Sequence, residues 1–220
     1  MTTNACAKRG FYPEYRSARL WKAIAFAGGV VLGLCSGPLH AAPSSGGDAV
    51  QGLYDALLST MKSGKALGQS GRFTQLGRSF DIAAMARLSI GPTWASLAEA
   101  QRQQLSESFG RYMSAIYADR FDSYGGQKLE VTGQQPASSG VIVKSQIIKA
   151  NGQPVKVNYM PRLSGDDWLI ADIDLGGAIS EVATRRSEFA AILKTEGVDG
   201  LISALNRKAE VLAISAARTF

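Results

Sequence analysis

Apolar residues recur at helical spacing in Val50, Leu53, Tyr54, Leu57, Leu58 and Met61, which predicts a helix capped by Asp48 and ended near Ser63-Gly64. A second helical region is expected around Ser70. Asp81 then caps a short helix carrying Ile82, Met85 and Leu88, and Gly91-Pro92 stops it, leaving Trp94 in the turn that follows. Ser96-Leu97-Ala98-Glu99 reads as a capping box for a long helix whose apolar face runs Leu105, Phe109, Tyr112, Met113, Ile116, Tyr117, Phe121 and Tyr124, ended by Gly125-Gly126.

The period then changes to strands over residues 128–135, 141–150, 153–163 and 168–175. Asn151-Gly152 predicts a two-residue hairpin, and Ser164-Gly165-Asp166-Asp167 a second tight turn. Val155, Val157 and Tyr159 alternate with Lys156, Asn158 and Met160, so one face of this strand is apolar and is expected to meet the long helix. After Gly176-Gly177, Ser180 caps a helix with Val182, Phe189, Ile192 and Leu193 that runs toward Gly197. A last helix from near Asp199 carries Leu201, Ile202, Leu205, Val211 and Leu212. The expected fold class is α+β: a single antiparallel sheet of about four strands, covered by helices that precede and follow it, with an apolar cavity between.

The long helix face is rich in aromatic residues and methionine. This suits either a helix packed on a sheet or the wall of a large, irregular apolar cavity.

The first forty residues read differently. Lys8, Arg9, Arg16, Arg19 and Lys22 form a basic leader, residues 23–35 are apolar and broken only by glycines, and Leu39-His40-Ala41 offers small-residue cleavage chemistry. Residues 1–41 are therefore expected to be a signal peptide cleaved near Ala41, residues 42–47 a flexible leader, and residues 48–220 one domain, exported to the periplasm. The apolar run is shorter than the roughly 20 residues that cross a bilayer. Lys8-Arg9-Gly10-Phe11 is a partial twin-arginine pattern, so the export route stays open. Leu32-Gly33-Leu34-Cys35 is a partial lipoprotein box, with Leu34 too bulky before the cysteine.

Setting the leader aside changes the charge. Five of the 24 basic and one of the 18 acidic residues lie in it, leaving 19 against 17, a balance of +2 with the basic residues scattered. A nucleic-acid partner is not expected. Cys6, Cys35 and His40 also fall in the leader, so the remaining chain has no thiol or imidazole for disulfides, Cys or His metal sites, or nucleophile–histidine catalysis. No metal site or cofactor is expected.

Asp172 and Asp174 lie two apart on a strand, as an acid–base pair or a divalent-metal site would require. The stronger reading is that they hold the amides of the strand exit. Arg185-Arg186 is read as the solvated side of its helix rather than a phosphate site.

Phe80-Asp81 with Met85, Gly91-Pro92-Thr93-Trp94, Gln101, Phe109, Tyr117, and Phe121 with Tyr124-Gly125-Gly126 form a more specific ordered set. Together with Trp168-Leu169-Ile170-Ala171-Asp172-Ile173, matching a W-x-I-x-D-V segment, the chain resembles the MlaC, or toluene-tolerance, family of periplasmic lipid-binding proteins over about residues 48–205. Ala178-Ile179-Ser180 and Arg185-Arg186-Ser187-Glu188-Phe189 look closest to its hopanoid-associated HpnM branch. The resemblance implies a non-enzymatic carrier of phospholipid or hopanoid. Its partners would be an inner-membrane ABC transporter with an MCE subunit and an outer-membrane lipoprotein complex. The inward faces then nominate Trp94, Phe109, Tyr112, Met113, Ile116, Tyr117, Val143, Ile147, Val157, Tyr159 and Ile170 as lipid-binding. Burying a sixteen-carbon tail is worth on the order of 12 kcal/mol before ordering costs, so an apolar cavity suffices without hydrogen-bond specificity. The competing readings are an NTF-two-like small-molecule enzyme using Asp172 or Asp174 as base, and a scaffold bridging envelope proteins.

Overall fold

Alternation along residues 154–164 buries Val157, Tyr159 and Pro161 on one face of a strand and leaves Lys156, Asn158 and Met160 more exposed on the other. The computed structural model describes residues 45–63, 77–121 and 123–218, with side chains to residue 214. In it this strand, β3 (Pro154–Ser164), lies at the middle of an antiparallel meander with β1 (Lys128–Ala137), β2 (Gly140–Ile148), β4 (Asp167–Leu175) and a two-residue β5 (Ile179–Ser180), in sequence order. The four expected strands are present and β5 is added at the edge. The signal-peptide, its cleavage site and the helical region near Ser70 lie outside the described residues.

The turns follow from their residues. Lys149 and Gln153 pair across the β2–β3 connection, and the Gly152 amide donates to the Lys149 carbonyl at 2.8 Å. Gly152 takes φ 82°, so the loop has three residues rather than the expected two, a turn closed by a left-handed glycine. Ser164 pairs with Asp167, leaving Gly165-Asp166 as the tight second turn. Pro161, which has no amide proton for the ladder, sits at the register shift between Met160 and Pro161.

Helix α1 (Gly46–Ser63) begins two residues before the expected cap. Ser45 accepts from the Asp48 amide, so the serine rather than the aspartate opens the helix. Val50, Leu53, Tyr54, Leu57 and Met61 are buried, and α1 lies across β1 to β4, with Tyr54 edge-on to Tyr159 at 5.7 Å. The apolar sheet face therefore meets the first helix and not the long one. Phe80-Asp81 is stitched to β4 by the Asp81 amide to the Ile170 carbonyl and the Ile170 amide to the Ser79 carbonyl, both 2.9 Å. Asp81 then caps α2 (Ile82–Ile90) through the Ala84 amide at 3.0 Å while its other oxygen receives Arg162 of β3 at 2.9 Å.

Gly91–Ser96 is a 3-10 turn, and α3 spans Glu99–Arg120. Ser96 does not cap α3 as expected. Its hydroxyl donates to the Thr93 carbonyl, and the cap position falls to Ala98, whose amide donates to Gln101 at 3.4 Å. Residues Tyr112 to Ala118 are buried without interruption, so this half of α3 is enclosed on all sides, with Ser114, Ala115 and Ala118 small enough to admit close neighbours. It packs chiefly against α4 (Glu181–Arg218) and α2. Phe109 meets Phe189 edge-on at 6.3 Å, and Tyr117 lies against Phe80 at 5.3 Å. The helix also ends at Arg120, before Tyr124, which is left exposed. Gly197, at φ 68°, breaks α4 where a boundary between two helices was expected. Among the described residues no helix is long and apolar enough to cross a membrane.

The start of α4 is held by one carboxylate. Asp172 accepts from the Ile173 amide at 2.7 Å, the Val182 amide at 3.1 Å and the Ser180 hydroxyl at 2.5 Å, while Ser180 caps α4 through the Ala183 amide at 3.0 Å. Asp174, opposite Ser180, has its carboxyl pushed up by burial and then by the Asp172 charge. Asp172→Asn is expected to destabilise the fold by about 1–2 kcal/mol in denaturant titrations at neutral pH, because charge-assisted bonds weaken. Asp174→Asn is expected not to lower the midpoint. A carboxyl with a raised folded-state pKa favours the fold while protonated and loses that contribution as pH rises through the folded value. The advantage of the Asp174→Asn variant over the parent should therefore grow from acid toward neutral pH.

Candidate functional site

Arg185 is the one buried arginine among the described residues, 6% exposed on the face of α4 that meets α3. Its Nε donates to Glu181 Oε1 at 2.9 Å and its Nη2 bonds the same carboxylate. Nη1 donates to Glu188 Oε2 at 2.6 Å and to the Tyr112 hydroxyl of α3 at 2.9 Å. The expectation that Arg185-Arg186 forms a solvated helix side is overturned at Arg185, while Arg186 is exposed as expected. Arg185 joins two helices, and Arg186 donates from Nε to the Leu88 carbonyl at 3.0 Å, closing the C-terminal end of α2. A sequence signal existed in Glu181 and Glu188, four before and three after Arg185, which can reach it on one helix face.

C-terminal to this cluster, α3 and the second half of α4 diverge around a groove of about 620 Å³, lined by Tyr112, Ile116, Leu212 and Val211 and by the cations Arg120, Arg185, Arg207 and Lys208, with Asp119 and Ala204 completing it. That volume falls within the roughly 300–1,000 Å³ of small-molecule sites. The Lys208 ammonium lies 5.7 Å from the Tyr112 ring centre and the Arg185 guanidinium 5.4 Å from it. The Tyr112 phenol is pushed up, by burial first and against the pull of Arg185.

Of the residues nominated from sequence, Tyr112 and Ile116 line the groove. Phe109, Met113, Tyr117, Val143, Val157, Tyr159 and Ile170 are buried in the one apolar core that continues from it, and Trp94 and Ile147 are partly buried against that core. Trp94 stands at the N-terminal end of α3 beneath the Arg102 guanidinium, at 5.9 Å. Sequence reasoning missed Ala204, Arg207, Lys208, Val211 and Leu212 as groove residues. Val211 and Leu212 belonged to the recognised apolar set of the last helix, but nothing in their period says that α3 stands opposite.

The core also holds polar oxygen. Tyr54 donates to the Ser145 hydroxyl at 2.5 Å, and Ser145 donates to the Val157 carbonyl at 2.6 Å. Tyr159 and Tyr117 have phenols pushed well up by burial first, with neighbouring tyrosines raising Tyr159 further and Glu181 raising Tyr117. These phenols stay neutral at physiological pH, so they hold the core together and supply no base. Asp172 has its oxygens committed to two amides and a hydroxyl. Among the described residues no group of three or more acidic, histidine or cysteine side chains is placed to hold a metal ion.

The architecture is shared with known proteins. A phospholipid-binding protein from Ralstonia solanacearum, solved in complex with a phospholipid, is similar to this chain with a TM-score of 0.68 at 23% sequence identity, covering 77% of this chain and 99% of that one. A family model described as MlaC protein matches residues 51–207, from the first turns of α1 into the second half of α4. That match spans most of the sequence, and on it the chain belongs to the MlaC family.

Proposed function

We propose that this protein is a periplasmic lipid carrier that takes up phospholipid, or in the HpnM branch a hopanoid, and moves it between an inner-membrane ABC transporter with an MCE subunit and an outer-membrane lipoprotein complex. Residues 1–41 serve as its export signal and residues 48–220 as the carrier. The observation that carries this reading is the groove between α3 and α4, whose apolar floor continues into the core of a fold shared with a protein solved in complex with a phospholipid. Tails enter past Tyr112 and Ile116 and lie against Phe109, Met113 and Tyr117 of α3, with Trp94, Val143, Ile147, Val157, Tyr159 and Ile170 as the deeper lining. In this reading, uptake moves these packed side chains apart. The exposed Val211 and Ile214 on α4 add apolar area on the same helix as the groove.

The protein works without bond chemistry in this reading. Asp172 is occupied in holding the start of α4, which removes it as the free base that the competing enzymatic reading needs. The HpnM assignment rests on the residues from Ala178 to Phe189, of which Arg185 and Glu188 meet in the buried cluster.

Protein purified from the periplasm without detergent should carry a lipid that native mass spectrometry detects and solvent extraction identifies. Glycerophospholipid would support the general carrier and a polycyclic triterpenoid the hopanoid branch. Repeated recovery of folded, lipid-free protein that takes up nothing from liposomes would reject the carrier. Leu212→Gln, in a half-buried groove position, should lower lipid retained per protein roughly tenfold, as expected for about 1–2 kcal/mol of lost apolar contact, with an unchanged melting temperature. Unchanged retention would place the tails outside the groove.

A further inference from the structure

The cations of the groove are arranged in a way that tail burial alone does not require. Arg120 ends α3, and Arg207 and Lys208 face it from α4. All three are exposed, and none has a carboxylate within 4.0 Å among the described residues, where the ion pairs are Arg102–Glu99, Arg162–Asp81, Arg185–Glu181 and Arg185–Glu188. Asp119 is the one acidic residue of the lining, and the Arg185 charge is already answered by Glu181 and Glu188. The groove therefore offers a net positive charge shared between its two walls.

The apolar residues follow in register. On α4, Arg207 and Val211 are four apart, as are Lys208 and Leu212, and Ile214 continues the stripe three residues beyond Val211. Positions three or four apart share a helix face, so each cation stands one turn, about 5.4 Å, from an apolar residue farther along the same groove wall. On α4 each cation precedes its apolar neighbour by one turn, whereas on α3 Arg120 follows Ile116 by one turn, so cations stand on both sides of the apolar surface. The Lys208 ammonium is turned inward over Tyr112 rather than out to solvent.

Resting on the carrier reading, we propose that this groove is a headgroup site that selects lipids of net negative charge, with the phosphate held by Arg120, Arg207 and Lys208 and the first part of the chain on Ile116, Val211 and Leu212. Two guanidinium groups can each meet phosphate oxygens in paired hydrogen bonds, and the lysine adds a point charge. A headgroup that carries its own ammonium brings like charge toward the same three cations, and a neutral polycyclic alcohol leaves them without a counter-charge. Selection is therefore by sign of the head and is independent of chain length.

The test loads the full mature protein from equimolar phosphatidylglycerol and phosphatidylethanolamine vesicles, removes the vesicles by flotation and extracts the lipid that stays with the protein. Wild type should be enriched in phosphatidylglycerol roughly tenfold, a preference equivalent to about 1.4 kcal/mol. The triple variant Arg120→Gln, Arg207→Gln, Lys208→Gln should lose that enrichment while still loading phosphatidylethanolamine and keeping its melting temperature. Lys62→Gln, which removes a cation placed over Tyr124 on α1, should keep the enrichment. An equal lipid ratio in wild type and triple variant overturns the proposal, and so does a triple variant that merely binds vesicles less while its loaded lipid keeps the wild-type ratio. Wild type that loads neither lipid overturns the carrier reading and this proposal with it. Inorganic phosphate should not raise the melting temperature of either protein. A rise in wild type that the triple variant lacks would assign the cations to free phosphate instead.

Discussion

The helical side of this protein depends on where Arg185 puts its charge. Removing a guanidinium from water costs several kcal/mol, and the cost is offset only when carboxylates and further acceptors meet it in good geometry. Glu181 and Glu188 do so from the same helix, but the Tyr112 hydroxyl comes from α3. The spacing and rotation of α4 on α3 are therefore fixed at this point: a shift that broke the Tyr112 contact would leave part of a buried charge unsatisfied. Beyond it, toward the C-terminal ends of both helices, no ion pair joins the two among the described residues. Arg111 on α3 reaches Asn206 on α4 at 3.0 Å, but on an exposed edge where such a bond contributes little.

A second anchor fixes the same helix to the sheet. Asp172 joins β4 to the first turn of α4 through Ser180 and Val182, so α4 is held at its start by a strand and a few residues later by α3. Gly197 then interrupts its backbone. Ala204, Arg207, Lys208, Val211 and Leu212 of the groove lining lie past the break, while Arg185, which belongs to the same lining, lies before it.

Local chemistry made much of this fold legible in the sequence. The Asp81 cap, the Gly91 stop, the Ser180 cap, the Gly197 break and the strands of the meander each rest on a residue whose backbone preference is strong on its own, and each is found. What failed required knowing a partner. The aromatic period of α3 correctly marks burial, but an all-round buried helix does not say which neighbour takes which side, and the sheet face went to α1. Ser96 and Glu99 have the spacing of a capping box, yet the 3-10 turn after Pro92 consumes Ser96 and moves the helix start to Glu99. Arg185 was misplaced for the same reason: a charged pair on a helix points outward until something opposite, here Tyr112, makes the inward position tolerable. The nominated lipid residues were found by inwardness, which locates the core, whereas the groove cations are outward by pattern and become visible only when two helices are seen side by side.

Under the proposed function the protein has to release what it binds, and this would limit how the groove can be built. Full burial of one long tail is worth on the order of 12 kcal/mol relative to water before ordering costs, and a membrane returns the same burial, so the balance between the two rests on smaller terms such as the headgroup contacts. Added recognition from buried, fully satisfied hydrogen bonds would tilt that balance strongly toward the protein. Exposed cations do not: their attraction is weakened by water and salt and falls off within about 10 Å at ordinary ionic strength. In the proposed headgroup site they would bias which head enters while adding little to the depth of binding. The strong electrostatics of Arg185 are instead spent inside the protein on helix position, closed off by Glu181, Glu188 and Tyr112. Buried, paired charge fixes how the helices sit beside the groove, and in the proposed site the exposed, screened charge is what would meet the ligand.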